Sequence, residues 1–217
     1  MSPKTKAETA TEKKPITRTA KKIGEPLASA KRLADATNSD QHHMAHVTKL
    51  ALALFDKLTD LHGMGDRERL LLEVTTMLHD IGWSRTTDGG HHKHSRDMIL
   101  EAELPGLTED ERTLCAQIAR YHNKAEPDKS RHKGFATLKK KERAIVSWLA
   151  GILRAADGLD CTHRGAIRVG DCELAKKRLT ISLAGRGDCG AEISGAEKKS
   201  KLLGRMVDRE LVFRLCS

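Results

Sequence analysis

The sequence predicts a mainly α protein: a helical bundle followed by a small C-terminal α+β appendix. Apolar residues recur at helical spacing from Asp40 to about Gly158. Period-two alternation is confined to Leu179-Thr180-Ile181-Ser182-Leu183 and Leu211-Val212-Phe213-Arg214-Leu215, with a helical stretch from Ala196 to Val207 before the second. A length of 217 residues with 38% hydrophobic content suits one compact unit with an accessory segment. The expected organisation is a basic flexible tail at 1–39, a helical domain at 40–164 and the appendix at 165–217.

The tail holds nine Lys/Arg and four Asp/Glu, so it carries +5 of the net +9. It has almost no large apolar residue before Ile23, too little to offset its ordering entropy, although Ala28 to Ala36 allows one short helix. The first long helix presents Val47, Leu50, Ala51, Leu54, Phe55, Leu58 and Leu61, and ends near Gly63. A second runs from about Asp66 to Ile81 and stops at Gly82, directly after His79-Asp80. Gly89-Gly90 lets the chain turn into a third helix, which opens near His91 and passes Met98 to Ala102. The fourth begins with a Thr108 and Glu111 capping box and ends around His122. A loop at 123–138 leads to a fifth helix carrying Ile145, Leu149, Ile152, Leu153 and Ala156, with Asp157 on its apolar stripe. Glycines 185, 187 and 190 mark a loop in the appendix.

Composition excludes several classes. No run approaches the roughly 18 apolar residues of a membrane span, and the start lacks an apolar signal core, so a soluble, cytoplasmic protein without membrane contact is expected. The five cysteines are odd in number and form no C-x-x-C pair, which argues against a disulfide framework and a thiolate zinc cage. Three Phe, two Trp and one Tyr give little to stack bases on, so nucleic acid is disfavoured as a partner. Helix pairs and the small sheet leave room for a homodimer.

Eleven histidines, placed at helix ends and on inward faces beside carboxylates, invite a metal. His43 lies one turn before Val47, so it points toward the interior, as a core histidine also would. His79 and Asp80 diverge by roughly 100 degrees and can flank one cavity; a histidine meeting the helix dipole is the alternative. Asp157, among small and apolar residues, needs either a salt bridge, to Arg154 or Arg164 for example, or a cation. Imidazole and carboxylate from three helices suit Mn, Fe, Ni, Co or Zn. His91 and His94 share a helix face, and His122 can join His91 around a second ion with Asp80 between the two; a surface patch is the alternative for the cluster.

The order His43, His79-Asp80, His91, His122, Asp157 resembles the H…HD…H…H…D pattern of HD-domain metal-dependent phosphohydrolases. Leu-His-Asp-Ile-Gly at 78–82, His-His-Lys-His-Ser at 91–95, Leu-Pro-Gly-Leu at 104–107, Arg-Tyr-His-Asn-Lys at 120–124 and Arg-Ala-Ala-Asp-Gly-Leu-Asp at 154–160 are similar to the C-terminal half of the Ppx/GppA exopolyphosphatase and guanosine-pentaphosphate phosphohydrolases. The resemblance implies an HD-domain-like bundle and hydrolysis of a phosphate ester or phosphoanhydride, in a nucleotide or polyphosphate-like substrate. His43, His79, Asp80 and Asp157 would hold a first divalent ion; His91 and His122, with His94 as the alternative, would hold a second. Asp80, His79 and Lys93 would serve catalysis, and Lys93, Arg120, Lys124 and Arg164 would hold phosphate. Full-length members carry two N-terminal actin-like domains with the exopolyphosphatase site, where this chain has its basic tail, so only the HD-type metal site carries over. The alternative reading is a non-catalytic polyphosphate- or nucleotide-binding or regulatory module with a structural metal.

Overall fold

The structure, a computed structural model, describes residues 17–37 and 39–216. The element order is α1 Thr17–Ala36, α2 Gln41–Lys57, α3 Thr59–His62, α4 Asp66–Leu78, a 3-10 helix Ile81–Arg85, α5 His91–Glu101, α6 Glu109–Arg120, α7 Lys133–Ala136 and α8 Lys140–Gly158. The appendix follows as β1 Ile167–Leu174, β2 Arg178–Gly185, α9 Gly190–Lys199, α10 Lys201–Val207 and β3 Glu210–Leu215. The mainly α architecture with a small strand appendix matches the expectation.

Helices α2, α4, α6 and α8 pack as a closed ring, with α5 laid on α6 and α1 on α4. The ring forms because each helix buries one stripe: Val47, Leu50 and Leu54 from α2, Leu71, Val74 and Leu78 from α4, Leu114 and Ile118 from α6. Helix α8 is buried all round from Leu149 to Gly158, because α2, α6 and the appendix helices cover it on different sides. Caps fix the starts: Asp40 accepts from the His43 amide at 3.0 Å, and Thr108 and Glu111 exchange bonds at α6.

The appendix is a three-stranded sheet in the order β1-β2-β3. Strands β1 and β2 are antiparallel with a bulge between Val169 and Cys172, and β3 joins β2 in parallel after the α9–α10 crossover. Leu179, Ile181, Leu183 and Phe213 are buried in the same core as the bundle.

Three local expectations are corrected. Within the segment expected as a flexible tail with room for one short helix at Ala28 to Ala36, the helix is longer, Thr17–Ala36, and Ser29, Ala30 and Ala34 are buried against the bundle. Small residues let this backbone approach α4 closely, a docking mode that a search for large apolar residues does not see. Residues 1–16 of that segment lie outside the described residues. Helix α4 ends at Leu78, before His79, and Gly82 is not its stop. A Cβ on Gly82 would lie 2.1 Å from the His91 carbonyl oxygen and 2.6 Å from the Ser95 nitrogen, so the glycine is there for the close approach of α5. Strand β1, unanticipated, has a single fully buried side chain, Ile167, and its bulge interrupts the alternation.

Candidate metal centre

Five element ends and inner faces converge. His43 stands in the first turn of α2, His79 and Asp80 just after α4, His91 at the start of α5, His122 just after α6, and Asp157 in the last turn of α8. All except Asp80 are buried; its side chain keeps 15% exposure and is the point of access.

Backbone and side-chain partners set the tautomers. His79 Nδ1 lies 2.7 Å from the Thr76 carbonyl and His122 Nδ1 lies 2.7 Å from the Ala119 carbonyl. A carbonyl only accepts, so both Nδ1 atoms carry the proton and both Nε2 atoms turn a lone pair inward. His43 Nδ1 donates to Asp160 Oδ2 at 2.8 Å, while Asp160 Oδ1 accepts from the Gly165 amide at 2.8 Å. His43 Nε2 then faces Asp157 Oδ1 at 3.6 Å and Asp80 Oδ2 at 3.9 Å. On the other side, Asp80 Oδ1 is 3.2 Å from both His91 Nε2 and His122 Nε2, which are 3.0 Å apart.

The electrostatics sort these groups into metal-ready forms. Burial works to raise Asp80 and Asp157. The His79 and His122 imidazoles hold Asp80 below the ordinary carboxylate range, and His43 and Lys199 do the same for Asp157. Burial pushes His79 down; burial together with His122 lowers His91 to about 4. His43 differs: burial lowers it, but Asp157, Asp160 and Asp80 more than reverse this and raise it to about 9.

The donor set fits a divalent ion. His79 Nε2 and Asp80 Oδ1 are buried with no hydrogen-bond partner, although Asp80 Oδ1 lies near two imidazoles that are not aligned to donate to it. Buried polar atoms are rarely left so. Donor atoms of His43, His79 and Asp157 lie within 4.8 Å of one another, as do those of His79, Asp80 and His122. Imidazole nitrogen plus carboxylate oxygen is a transition-metal set.

The remaining expected residues lie elsewhere. His94 is half-buried, and the second ring of α5 to approach His122, after His91, is His92, at 6.3 Å between centroids. Lys93 and Lys124 are exposed; Lys124 contributes its carbonyl to Arg154. The Arg120 guanidinium lies 5.5 Å from the Tyr121 ring centroid. Arg164 is bound to Glu192 at 2.7 Å and to the Asp188 carbonyl. The salt bridge of Asp157 comes from neither Arg154 nor Arg164. Lys199 Nζ supplies it, 2.5 Å from Asp157 Oδ2, while Arg154 donates to the Tyr121 carbonyl at 3.0 Å.

Four contributors were missed by the sequence reading. Asp160 orients His43, and Lys199 neutralises one oxygen of Asp157. His163, in a left-handed conformation at φ 59°, stacks on His43 at 3.8 Å and bonds Asp40. Trp83, 45% exposed, stacks on His91 at 4.0 Å. Asp160 carried a signal, three residues after Asp157 in a phrase of carboxylates and small residues. Trp83 and His163 line, with Thr37, Ser39 and Asp40, a cleft of about 530 Å³ that reaches Asp80.

The family model described as Ppx/GppA phosphatase, domain III, matches residues 27–188. That span runs from within α1 to the loop after β2, well over half of the chain, and contains all six converging residues. The chain therefore belongs to the Ppx/GppA phosphatase domain III family.

Proposed function

We propose that the protein is a metal-dependent phosphohydrolase of the HD type, acting on a phosphate ester or phosphoanhydride in a nucleotide or polyphosphate-like molecule. The observation that carries this reading is the pair of buried, unpartnered atoms, His79 Nε2 and Asp80 Oδ1, inside a ring of imidazoles and carboxylates. His43, His79, Asp80 and Asp157 would hold one divalent ion, and His91 and His122 would hold a second, with Asp80 between the two. Such ions polarise a phosphoryl oxygen and acidify water.

The chain's own residues do the rest. Asp160, Thr76 and Ala119 fix His43, His79 and His122 with their Nε2 atoms inward, so the rings need little rearrangement. Lys199 occupies Asp157 Oδ2 and leaves Oδ1 toward His43. Trp83 and His163 wall the cleft, so a phosphoryl group reaches Asp80 between two ring systems. Metal content of protein purified without a chelator, beside Asp80→Ala, tests the reading, together with metal-supplemented hydrolysis of pyrophosphate and nucleoside polyphosphates. Near-stoichiometric metal and turnover that both vanish in Asp80→Ala support it. No bound ion after reconstitution with Mn, Fe, Co, Ni or Zn overturns it.

One observation favours the second reading, a non-catalytic binding or regulatory module with a structural metal. Lys93, Lys124 and Arg164 stand outside the residues lining the cleft, and Lys199 already balances part of the carboxylate charge. A tightly held ion without turnover of any phosphate substrate would select that reading.

A further inference from the structure

The two edges of the small sheet differ. Strand β1 carries a bulge between Val169 and Cys172, packs on α2, and its Asp171 pairs with Lys57 of that helix. Bulges and charges of this kind keep an edge from pairing with another strand. Strand β3 has no such device: Glu210–Leu215 runs in unbroken register with β2, without proline, lysine or bulge. In that ladder Glu210 donates its amide to the Lys177 carbonyl at 3.1 Å, and Cys216 donates to the Leu183 carbonyl at 2.8 Å. Alternate residues of a strand direct their amides and carbonyls to opposite sides. Glu210, Val212 and Arg214 therefore turn theirs to β2, while Leu211, Phe213 and Leu215 turn theirs away from it. Among the described residues, none of those outward amides and carbonyls has a hydrogen-bond partner.

The side chains select the occupant. Phe213 turns into the core with Leu179 and Ile181, so Glu210, Val212 and Arg214 share the opposite face, where both charged residues are exposed. A second copy of β3, laid antiparallel about a two-fold axis at Val212, sets each Glu210 opposite the partner's Arg214. Val212 then meets its own counterpart, and Leu211 and Phe213 exchange both hydrogen bonds with the partner's Phe213 and Leu211. Leu215, 43% exposed, falls diagonal to the partner's Leu211. The neighbouring registers, centred on Leu211 or Phe213, bring Glu210 beside the partner's Glu210 or Arg214 beside the partner's Arg214, and like charges across strands repel. We propose that β3 is a self-association edge, along which two copies of this chain pair antiparallel about Val212 and join their sheets into one. Such a contact is isologous, so one strand supplies both halves of the charge complementarity. A dimer held mainly by one strand pair is weak and concentration-dependent. The proposal stands on the sheet alone and does not rest on the hydrolase reading.

Sedimentation velocity of the full chain over a concentration series, with oxidative cross-linking beside it, tests the pairing. Wild type should pass from monomer toward dimer as concentration rises. Glu210→Arg and Arg214→Glu each set like charges opposite one another at both ends of the contact, so each should weaken association about tenfold. The double variant Glu210→Arg, Arg214→Glu restores opposite charges and should restore the dimer. Both altered residues are exposed, and an unchanged melting temperature shows that the variants are folded. Cross-linking reads the register without altering a charge. Facing residues of a non-hydrogen-bonded antiparallel pair have Cα atoms about 4.5 Å apart, within disulfide reach, so Val212→Cys should link two chains under mild oxidation. Thr180→Cys, one strand further in on the same face, should link no faster than wild type with its own exposed Cys161 and Cys216. A chain that stays monomeric at every concentration overturns the proposal and leaves the edge to a strand of some other protein. A dimer that tolerates both single charge reversals, or a Val212→Cys protein that links no faster than Thr180→Cys, also overturns it, since the copies would then meet elsewhere.

Discussion

His43 is the residue whose proton a bound ion would have to displace. Without an ion its imidazole is raised above the ordinary 6.5 to about 9. A raised folded-state value means that its contribution to stability is whole below about 6.5 and is lost as pH climbs through about 9. An ion takes the lone pair the proton held, so metal stabilisation grows over the same interval. In chelator, the melting temperature should therefore carry a component that falls from about pH 6.5 to about 9, while the increment added by Mn widens. An increment that narrows would remove His43 from the ligand set. Lys199 supplies a second test at this scale. Lys199→Met leaves Asp157 without its ammonium partner, so the metal-free protein should lose about 1–3 kcal/mol, with the added metal recovering most of it. Thermal melts with and without metal read both quantities, and an unchanged metal increment would show that Lys199 does not tune the site. Neither Lys199 nor Asp160 was legible as part of the site. The contacts join residues 42 and 117 positions apart, and only the closed fold supplies them. The other converging residues were legible because they sit at helix starts, helix ends or on a buried stripe, where spacing alone fixes which way a side chain points.

At the scale of elements, the bundle helices read well because each carries large apolar residues at helical spacing, and α6 a recognisable capping box as well. Helix α1 did not, since Ala30 and Ala34 bury little surface apiece; β1 did not, since its bulge breaks the period of two. Gly82 shows the same limit from the other side. The sequence places a helix stop there, whereas the structure places the backbone of α5 against its Cα, with the Gly82 amide donating to Ser95 Oγ at 2.9 Å. Gly82→Ala pushes a methyl into the His91 carbonyl and the Ser95 amide, both backbone atoms that cannot rotate away. The expected cost is about 1–3 kcal/mol or more, as for other overpacked sites. Because α5 carries His91, the variant should also bind fewer ions per chain than wild type at saturating Mn. A Gly82→Ala protein with wild-type stability and metal content would show that α5 shifts freely and that His91 is not held in register by this contact.

For the whole molecule, the question is whether the appendix is a separable addition to the bundle. The sequence boundary near residue 164 marks a change of periodicity, yet the packing crosses it. A Cβ on Gly158 of α8 would lie 2.7 Å from Ala196 Cα, so α9 seats directly on the end of the helix that carries Asp157. Lys199 reaches Asp157 from the end of α9, and the fully buried Glu192 carboxylate of α9 is held by Arg164 and Thr162 at the end of the bundle. Removing residues 165–217 would therefore uncover the far side of α8, take away the cation at Asp157 and leave the Gly165 amide absent from Asp160. The whole chain should unfold in a single transition that added metal raises as a unit. The truncated chain should retain part of its helix by circular dichroism but bind Mn at least about tenfold more weakly, the usual scale for lost orienting contacts. Calorimetric unfolding and metal titration of the two chains decide the matter. Two resolved transitions, or wild-type metal affinity in the truncated chain, would show that the bundle alone builds the site.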